Sequence, residues 1–523
     1  MKTKAPAASA APAPVVLSPT TPGKSAQKFK ALRFPTLLNF QNEWLSYDDS
    51  AYLPIEDETI AARVKEFLEA AKVAKVEERK SKDDNGNSKV SRKNVLLPFN
   101  PKPKDISEVY AMLKHDCHVP HNTMSPPTWL DGGTGIYAGL DKKNLISCRN
   151  GLLDIENRTL YPATSAFFTR TALAIDYDAN APEPTLWLEF LDQVTNHRPE
   201  LVDLLQEMMG YLISTDTSMQ RVFFLWGRPR SGKGTILRVV TALIGKHNTR
   251  FPSIETLAGR FGYQNLIGAS LAQITDMDCD NRQALGTAAT RINAISGEDG
   301  ITAERKGVTD WNGELAVRFL LAGNGLPDFG SHTAAMATRL LIAPFDRSFK
   351  DHEDRDLTEK LFAELPGILN FSLDGLTQLR ERGDFVEPAA SGSAKLRMIY
   401  QSDPIHGFVE EHCTVKTGAG VDKAVLYDAF QSYCMATGSH AVAMNKFSEK
   451  LASAYPSIAA TKRSGERGSV DKRVPCFGGI RLNDAAAVKT YKLNHDLIQL
   501  GFPPREAFER DKAGWPVAAA AFD

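Results

Sequence analysis

The segment GRPRSGKGT, residues 227–235, stands between an apolar strand-like run, RVFFLW, and a helical pattern, TILRVVTALIG. A glycine-rich loop in this context is typical of Walker A phosphate-binding loops, because its backbone N–H groups and the start of the helix hold phosphate oxygens. The lysine of such a loop reaches the terminal phosphates. We therefore predict that a nucleotide is bound by Gly227, Arg228, Pro229, Arg230, Ser231, Gly232, Lys233, Gly234 and Thr235.

One position of this loop departs from the usual pattern. Gly234 follows the lysine, where such loops usually carry a serine or threonine whose hydroxyl binds magnesium. Two alternatives follow for the metal: Thr235 binds it from one position further on, or acidic residues of another strand hold it. The same order, GKGT, is familiar from nucleotide kinases, so a phosphotransferase for small molecules is a rival interpretation.

Four apolar runs between residues 221 and 346 alternate with helical patterns: RVFFLW, SLAQITD, VRFLLAG and RLLIAPF. Strands that are interleaved with helices predict an α/β fold with a largely parallel sheet covered on both faces.

Polar residues border these runs. Asp276 ends the second run and Asp278 follows it, and a carboxylate there could hold Mg²⁺ and polarise the attacking water. Asp276 is the first choice, and an acidic loop that caps a strand is the alternative. Asn324 follows the third run and could orient the water, although Asn-Gly also makes turns. Arg339 precedes the fourth run and could be an arginine finger for a neighbouring subunit, or a surface residue in a local ion pair.

The composition is that of a globular chain of two to four domains. The 523 residues include 62 Lys and Arg against 63 Asp and Glu, so any contact with nucleic acid must be concentrated in local basic patches. The six cysteines lie far apart without a CxxC pair, which argues against a disulfide framework and fits a reducing cytoplasm. No apolar run approaches the ~20 residues that span a bilayer, so we expect no contact with a membrane.

Changes in composition along the chain predict seven regions. Residues 1–34 are predicted to be disordered, because they consist largely of small residues interrupted by prolines. The regions are a disordered tail at 1–34, an N-terminal accessory domain at 35–180, a helical collar at 181–218, the ATPase core at 219–350, a helical region at 351–400, a DNA-binding domain at 401–490 and a C-terminal tail at 491–523.

A basic loop lies near the C-terminus. TKRSGERGSVDKRV, residues 461–474, contains five basic residues against two acidic ones. It follows two helical patterns and precedes the strand-like run CFGGIRL, which is the order of the helices, wing and closing strand of a winged-helix domain. Phosphate contacts from such a wing would position DNA without reading its sequence, and a solvated hairpin is the alternative. The candidate DNA contacts are Lys462, Arg463, Lys472 and Arg473.

The motifs GRPRSGKGT, LAQITDMD, ISGEDGITAERKG, LLAGNGLPDF and MATRLLIAPFDRSF, in this order, resemble those of superfamily 3 helicases. The likeness is to the primase-helicase family of phages, plasmids and poxviruses in particular, and it covers about residues 35–485. It implies an AAA+-like P-loop ATPase core with a mostly parallel sheet. An α+β N-terminal domain and a C-terminal winged helix would flank this core.

The resemblance also implies roles for single residues. By the family pattern, Lys233 and Thr235 would serve the phosphates and magnesium, Asp276 would be the Walker B acid, Asn324 sensor 1, and Arg339 a finger acting in trans. The stretch GEDGITAERKG matches the motif before the DNA-contacting hairpin, which points to Arg305 and Lys306 as pore residues. Gly234 and the aspartate pair depart from the family pattern, and both departures concern magnesium.

As a member of this family, the chain would be an ATP-dependent replicative DNA helicase of a phage, plasmid or mobile element. It would form a hexameric ring, use ATP and Mg²⁺, bind single-stranded and duplex DNA, and move 3′ to 5′. The family's primase-polymerase domain has no room before residue 35, so the chain would be a helicase without its own priming site, and a separate primase is a candidate partner. Two alternatives are a nucleotide kinase and a replication initiator or loader that uses ATP as a switch without unwinding.

Overall fold

The computed structural model describes residues 14–82, 88–120, 125–275, 277, 281–352, 354–437, 439–463, 474–483, 508–510 and 516–518. These residues form an N-terminal α+β domain, a small β-rich unit, a parallel sheet between helices, and a C-terminal domain of helices and antiparallel strands. Short 3₁₀ helices occur at Gly135–Tyr137, Lys142–Asn144, Gln264–Leu266 and Gly330–His332.

The N-terminal domain combines two sheets with three helices. The strand orders are β1-β5-β6 and β4-β3-β2-β7. The elements are β1 (Val16–Leu17), α1 (Pro22–Arg33), β2 (Leu38–Phe40), β3 (Glu43–Tyr47), β4 (Tyr52–Ile55), α2 (Asp57–Ala70), β5 (Lys72–Lys82), β6 (Ser88–Pro98), α3 (Pro103–Asp116) and β7 (His118–Val119).

The expectation of a disordered tail at 1–34 is wrong for residues 14–34. Helix α1 begins with proline, which is favourable at the first helical position. Its buried residues Ser25, Ala26 and Phe29 lie on one helical face, and the Phe29 ring contacts that of Phe67 at 5.4 Å. Small residues and prolines indicated disorder, but the small side chains let α1 pack closely on α3.

A β-rich unit and two helices connect this domain to the central sheet. The unit contains a three-stranded meander of order β11-β10-β9 and the pair β12-β8. The elements are β8 (Thr128–Trp129), β9 (Leu145–Cys148), β10 (Gly151–Asp154), β11 (Thr159–Tyr161), β12 (Phe167–Phe168), α4 (Thr185–Val194) and α5 (Pro199–Ile213).

The central sheet has five strands in the order β14-β15-β18-β13-β19, and all neighbouring pairs are parallel. This confirms the predicted α/β class and the parallel sheet. The elements are β13 (Val222–Gly227), α6 (Lys233–Ile244), β14 (Thr249–Arg250), α7 (Ile254–Ala258), β15 (Leu271–Ile274), α8 (Arg282–Ser296), β16 (Ile301–Ala303), β17 (Trp311–Gly313), β18 (Arg318–Gly323), α9 (Thr333–Arg339) and β19 (Leu340–Phe345).

Alternate residues of β13 belong to different hydrophobic cores. Phe223 and Leu225 pack into one cluster with α5 and α6, and Val222 and Phe224 into another with α8. Because both faces are covered, the strand is a continuous apolar run. Function therefore has to lie at the edges of the sheet, where the strands end.

Three helices and a C-terminal domain follow the sheet. Helices α13 to α15 pack beside an antiparallel sheet of order β20-β22-β21. The elements are α10 (Leu357–Ala363), α11 (Leu365–Arg382), α12 (Ala389–Ser402), α13 (Pro404–His412), β20 (Cys413–Asp422), α14 (Lys423–Thr437), α15 (Met444–Ala454), β21 (Ala459–Arg463), β22 (Val474–Leu482), β23 (Phe508–Arg510) and β24 (Pro516–Ala518).

Helices α5 and α11 cross so closely that glycine is required at the contact. A methyl group on Gly210 would fall on the Ser372 carbonyl and lie 2.6 Å from the Leu376 nitrogen. We expect Gly210→Ala to lower the free energy of unfolding by about 1–3 kcal/mol, measured as a lower melting temperature. The matched control is Gly392→Ala in α12, where no atom lies within 4 Å of the added methyl group. That substitution should stabilise the protein slightly, and equal effects at both positions would contradict the argument.

Candidate nucleotide-binding site

The loop between β13 and α6 leaves the sheet at its carboxyl edge. Gly227 is in register with Phe345 of β19, and any side chain on Gly227 would fall on the Phe345 carbonyl oxygen. Arg230 and Gly232 have positive φ angles of 59° and 94°, which turn the chain into α6. Gly227 is therefore required by the close approach of Phe345, and Gly232 is required by its backbone conformation.

The segment after β19 supports the loop from outside. The Phe349 N–H donates to the Arg230 carbonyl at 2.8 Å, and the Ser348 hydroxyl donates to the Pro229 carbonyl at 3.0 Å. These bonds fix the loop backbone without any ligand. A preorganised loop loses little conformational entropy when it binds phosphate.

The ammonium group of Lys233 lies at the centre of the loop. It donates to the carbonyl oxygens of Gly227 and Arg228 at 2.7 and 2.8 Å. It also lies 3.3 Å from the Ser231 hydroxyl and 3.3 Å from the side-chain oxygen of Asn324. The structure thus brings together two predicted site residues, one at the start of α6 and one directly after β18. Phosphate oxygens at this point would meet a cation and an amide at once.

Thr235 lies in the first turn of α6. Its hydroxyl oxygen accepts from the Arg238 guanidinium at 3.1 Å. A side chain on Gly234 would meet Arg238 only at 3.5 Å, an ordinary van der Waals distance. The geometry of the loop therefore does not require glycine at position 234. Among the residues that the structure describes, Thr235 is the predicted magnesium ligand that lies beside the loop.

The predicted acids Asp276 and Asp278 lie outside the described residues. Between them, Met277 is buried, and its Cβ lies 3.2 Å from where a methyl group on Gly323 would stand. Gly323 ends β18, directly before Asn324. The chain after β15 thus passes beside the strand end that carries Asn324.

A cavity of about 610 Å³ opens beside the loop. Its volume lies within the range of small-molecule sites, and it combines apolar and charged walls. The apolar wall contains Leu186, Phe190, Val194, Phe349 and Leu357. The charged wall contains the cations Arg230, Arg238 and Arg355 and the acids Glu189 and Asp354. An apolar wall suits a base or sugar, and guanidinium groups suit phosphates.

Arg339 is not part of this site within one chain. It precedes β19, whereas the loop lies at the other end of that strand, where Gly227 is in register with Phe345. At ~3.3 Å per strand residue, the two ends of β19 are about 17 Å apart. The Arg339 guanidinium donates to the Gln220 side-chain oxygen at 3.0 Å and is half-buried.

A second arginine stabilises the surface around Arg339. Arg221 donates to the Thr338 carbonyl and to the Asp384 carboxylate, both at 2.9 Å. The hydrogen bond from Arg221 holds the pKa of the Asp384 carboxyl below its usual value. This edge of the sheet therefore carries an ion pair, Arg221–Asp384, next to Arg339.

The hairpin of β16 and β17 carries Arg305 and Lys306 in its connection. The Arg305 guanidinium donates to the carbonyls of Thr309, at 2.8 Å, and of Gln41, at 3.2 Å. Asn42 donates to the Thr309 hydroxyl at 3.1 Å, so the β2–β3 turn of the N-terminal domain rests on the hairpin. Lys306 is exposed. Of the two predicted DNA contacts, Arg305 is held by the protein and Lys306 faces solvent.

The other predicted DNA contacts lie in the C-terminal domain. Lys462 and Arg463 end β21, and Lys462 is exposed. Lys472 and Arg473 lie outside the described residues.

The two glycines beside Lys233 should respond differently to substitution. A methyl group on Gly232 would lie 2.6 Å from Val194 Cγ1, and its φ of 94° is unfavourable for other residues. We expect Gly232→Ala to weaken nucleotide binding at least tenfold and to lower the melting temperature. Gly234→Ala is the matched control and should bind a fluorescent ATP analogue as the wild type does. Equal losses in both variants would contradict the structure of the loop.

Two residues beside the loop were missed in the sequence. Arg238 contacts Thr235 from one helical turn away, and this i, i+3 spacing was the signal that could have indicated it. Trp226 donates from its indole to the Asn324 carbonyl at 3.1 Å. No sequence pattern indicates that contact, because the two residues are on different strands.

Three segments of the chain match known protein families. Residues 138–196 match the family described as D5 N terminal like, and residues 400–473 match the family described as Poxvirus D5 protein-like. Two segments of the chain are thus similar to D5 proteins. Residues 225–339, which contain the loop, match a family of unknown function, DUF5906.

Solved structures of the NrS-1 C-terminal region also match the chain. Two apo structures align with 9% sequence identity over 58% of this chain, and over 78% and 77% of their own chains. The TM-scores are 0.40 and 0.41.

Proposed function

We propose that the protein is an ATP-dependent replicative DNA helicase of the D5 type and of superfamily 3. The observation that carries this proposal is the position of the Lys233 ammonium, inside the loop and 3.3 Å from the Asn324 amide oxygen. A cation and an amide that converge at the carboxyl edge of a parallel sheet suit the phosphates of a nucleoside triphosphate, which supports this proposal. The similarity of two flanking segments to D5 proteins supports a role in the replication of a phage, virus or mobile element.

In this proposal, the chain's own residues bind and orient ATP. The loop and the start of α6 hold the phosphates, Lys233 contacts the terminal ones, and Asn324 orients the attacking water. The 610 Å³ cavity receives the nucleoside. Thr235 and Asp276 would hold magnesium, which supplies charge neutralisation on the phosphates when bound. To bind the ion, the Thr235 hydroxyl would have to give up the hydrogen bond that it accepts from Arg238.

The place of Arg339 supports a ring. Because it lies at the far end of β19, it can serve a nucleotide only if that nucleotide belongs to a neighbouring subunit. A closed ring of identical subunits repeats this contact at every junction. We propose a hexamer that moves 3′ to 5′ along single-stranded DNA, with Lys306 of each hairpin facing the strand.

We propose that the C-terminal domain is a winged helix, and the order of its elements supports this. Its order is α13, β20, α14, α15, β21 and β22, with β22 between the other two strands. The connection from β21 to β22 is the proposed wing, and it begins beside the exposed Lys462. We propose that this domain contacts the phosphates of duplex DNA.

The proposed contact between the wing and DNA predicts how the affinity for duplex DNA depends on salt. If Lys462 contacts a phosphate, Lys462→Ala should reduce the slope of log affinity against log salt by about 1 in titrations of duplex DNA. Lys65→Ala, an exposed lysine of α2, is the control and should not change the slope. An unchanged slope in Lys462→Ala would remove this contact from the proposal.

One set of assays separates the proposal from its rivals. We would measure ATP hydrolysis with and without single-stranded DNA, the unwinding of a tailed duplex, and phosphoryl transfer to nucleoside monophosphates. A helicase hydrolyses ATP faster with DNA and unwinds the duplex. The GKGT order favours a kinase, which would phosphorylate nucleotides without responding to DNA. An initiator or loader would bind ATP and DNA without unwinding.

Among the described residues, no helix has both the length and the apolar composition to cross a membrane.

A further inference from the structure

Trp226 connects the candidate nucleotide site to the helix that leads into the C-terminal domain. It is the penultimate residue of β13 and is in register with Gly323 of β18. Its indole N–H reaches one residue further and donates to the Asn324 carbonyl at 3.1 Å. The same Asn324 presents its amide oxygen to Lys233 at 3.3 Å. The indole therefore fixes the backbone of the residue that faces the proposed phosphates.

The Trp226 ring is covered by an arginine from α12. The Arg397 guanidinium carbon lies 5.7 Å from the ring centroid, within the range of a cation–π interaction. Arg397 itself is exposed. This contact joins β13 of the central sheet to α12, a helix outside the sheet.

Helix α12 connects directly to the proposed DNA-binding domain. It packs on α9 and β19, and Ile399 packs against the same hydrophobic core as Trp226. It ends at Ser402, and the next residue, Asp403, caps α13 by accepting from the Ile405 N–H at 3.0 Å. A single residue, Asp403, therefore separates α12 from α13.

We propose that Trp226 is a positioning residue for Asn324, and that the Arg397–Trp226 contact couples DNA binding by the C-terminal domain to ATP hydrolysis. This inference rests on the proposed function. When the C-terminal domain binds DNA, α12 shifts Arg397 on the ring, and the indole N–H changes the position of the Asn324 backbone. By linkage, any change that DNA binding makes in the affinity for nucleotide is matched by an equal change that nucleotide binding makes in the affinity for DNA.

The first test compares steady-state ATP hydrolysis by full-length variants. Trp226→Phe keeps an aromatic ring for Arg397 but removes the N–H donor, so kcat should fall about tenfold while KM for ATP stays near the wild-type value. A rise in KM at unchanged kcat would overturn the positioning role. A kcat equal to that of the wild type would also overturn the positioning role.

The second test concerns the coupling. Arg397→Met keeps the length and apolar part of the side chain but removes the cation, and it should reduce the stimulation of ATP hydrolysis by duplex DNA about fivefold. Arg397→Lys should restore most of the stimulation, because it restores a cation. Leu396→Ala, an exposed neighbour on α12, is the matched control and should behave as the wild type. Full stimulation of Arg397→Met would overturn the coupling.

A third measurement does not depend on hydrolysis. In protein labelled with 5-fluorotryptophan, the ¹⁹F signal missing from Trp226→Phe identifies Trp226. It should shift when duplex DNA is added to the wild type, and this shift should be lost in Arg397→Met. A shift that persists in Arg397→Met contradicts the inference. Wild-type protein that shows the shift but never hydrolyses ATP contradicts the proposed function instead.

Discussion

Lys233→Ala is expected to reduce ATP hydrolysis by about 100- to 1000-fold while the protein stays folded. The ammonium group lies within 3.3 Å of two loop carbonyls, a loop hydroxyl and the Asn324 side chain. Phosphates bound there would lose the cation nearest to the charge that develops on them. Unwinding of a tailed duplex should be lost together with hydrolysis, because the proposed movement is driven by it.

Phosphate release by purified protein, with and without single-stranded DNA, measures this effect. The control is Lys246→Ala, an exposed lysine just beyond the end of α6, which should hydrolyse ATP as the wild type does. Melting temperatures exclude unfolding as the cause. Hydrolysis by Lys233→Ala at the wild-type rate would show that the loop is not the catalytic site.

Arg339→Ala is expected to reduce ATP hydrolysis about a thousandfold while nucleotide binding persists. Arg339 lies at the opposite end of β19 from the loop of its own chain, about 17 Å away. It can complete a site only across a subunit junction, where a guanidinium stabilises the charge of the transferred phosphoryl group. Its contact with the Gln220 side chain is half-buried, so its loss should change the melting temperature little.

Mixing two inactive variants tests whether Arg339 acts in trans. In rings that contain both Arg339→Ala and Lys233→Ala subunits, some junctions combine an intact Lys233 with an intact Arg339, so part of the hydrolysis should return. The control replaces the Arg339→Ala partner by the double variant Lys233→Ala Arg339→Ala, which can form no complete junction. No recovery at any mixing ratio would count against a finger in trans.

Local patterns predicted the central sheet well. The four apolar runs correspond to β13, β15, β18 and β19, and the glycine-rich segment joins β13 to α6 as expected. Such patterns are predictive because they are local. A strand that is buried on both faces is a continuous apolar run, and the start of a helix is marked by the residues next to it. The same reasoning failed at residues 14–34, where small side chains indicated disorder but allow α1 to pack against its neighbours.

The sequence by itself determined the α/β class, the parallel sheet and the position of the glycine-rich loop, because each depends on short stretches of chain. Only the tertiary structure decided which distant residues meet. It placed Asn324 beside Lys233, Arg339 at the opposite end of the sheet, and the β2–β3 turn on the hairpin that carries Arg305. These contacts depend on the order of the strands and on helix packing, which no local spacing encodes.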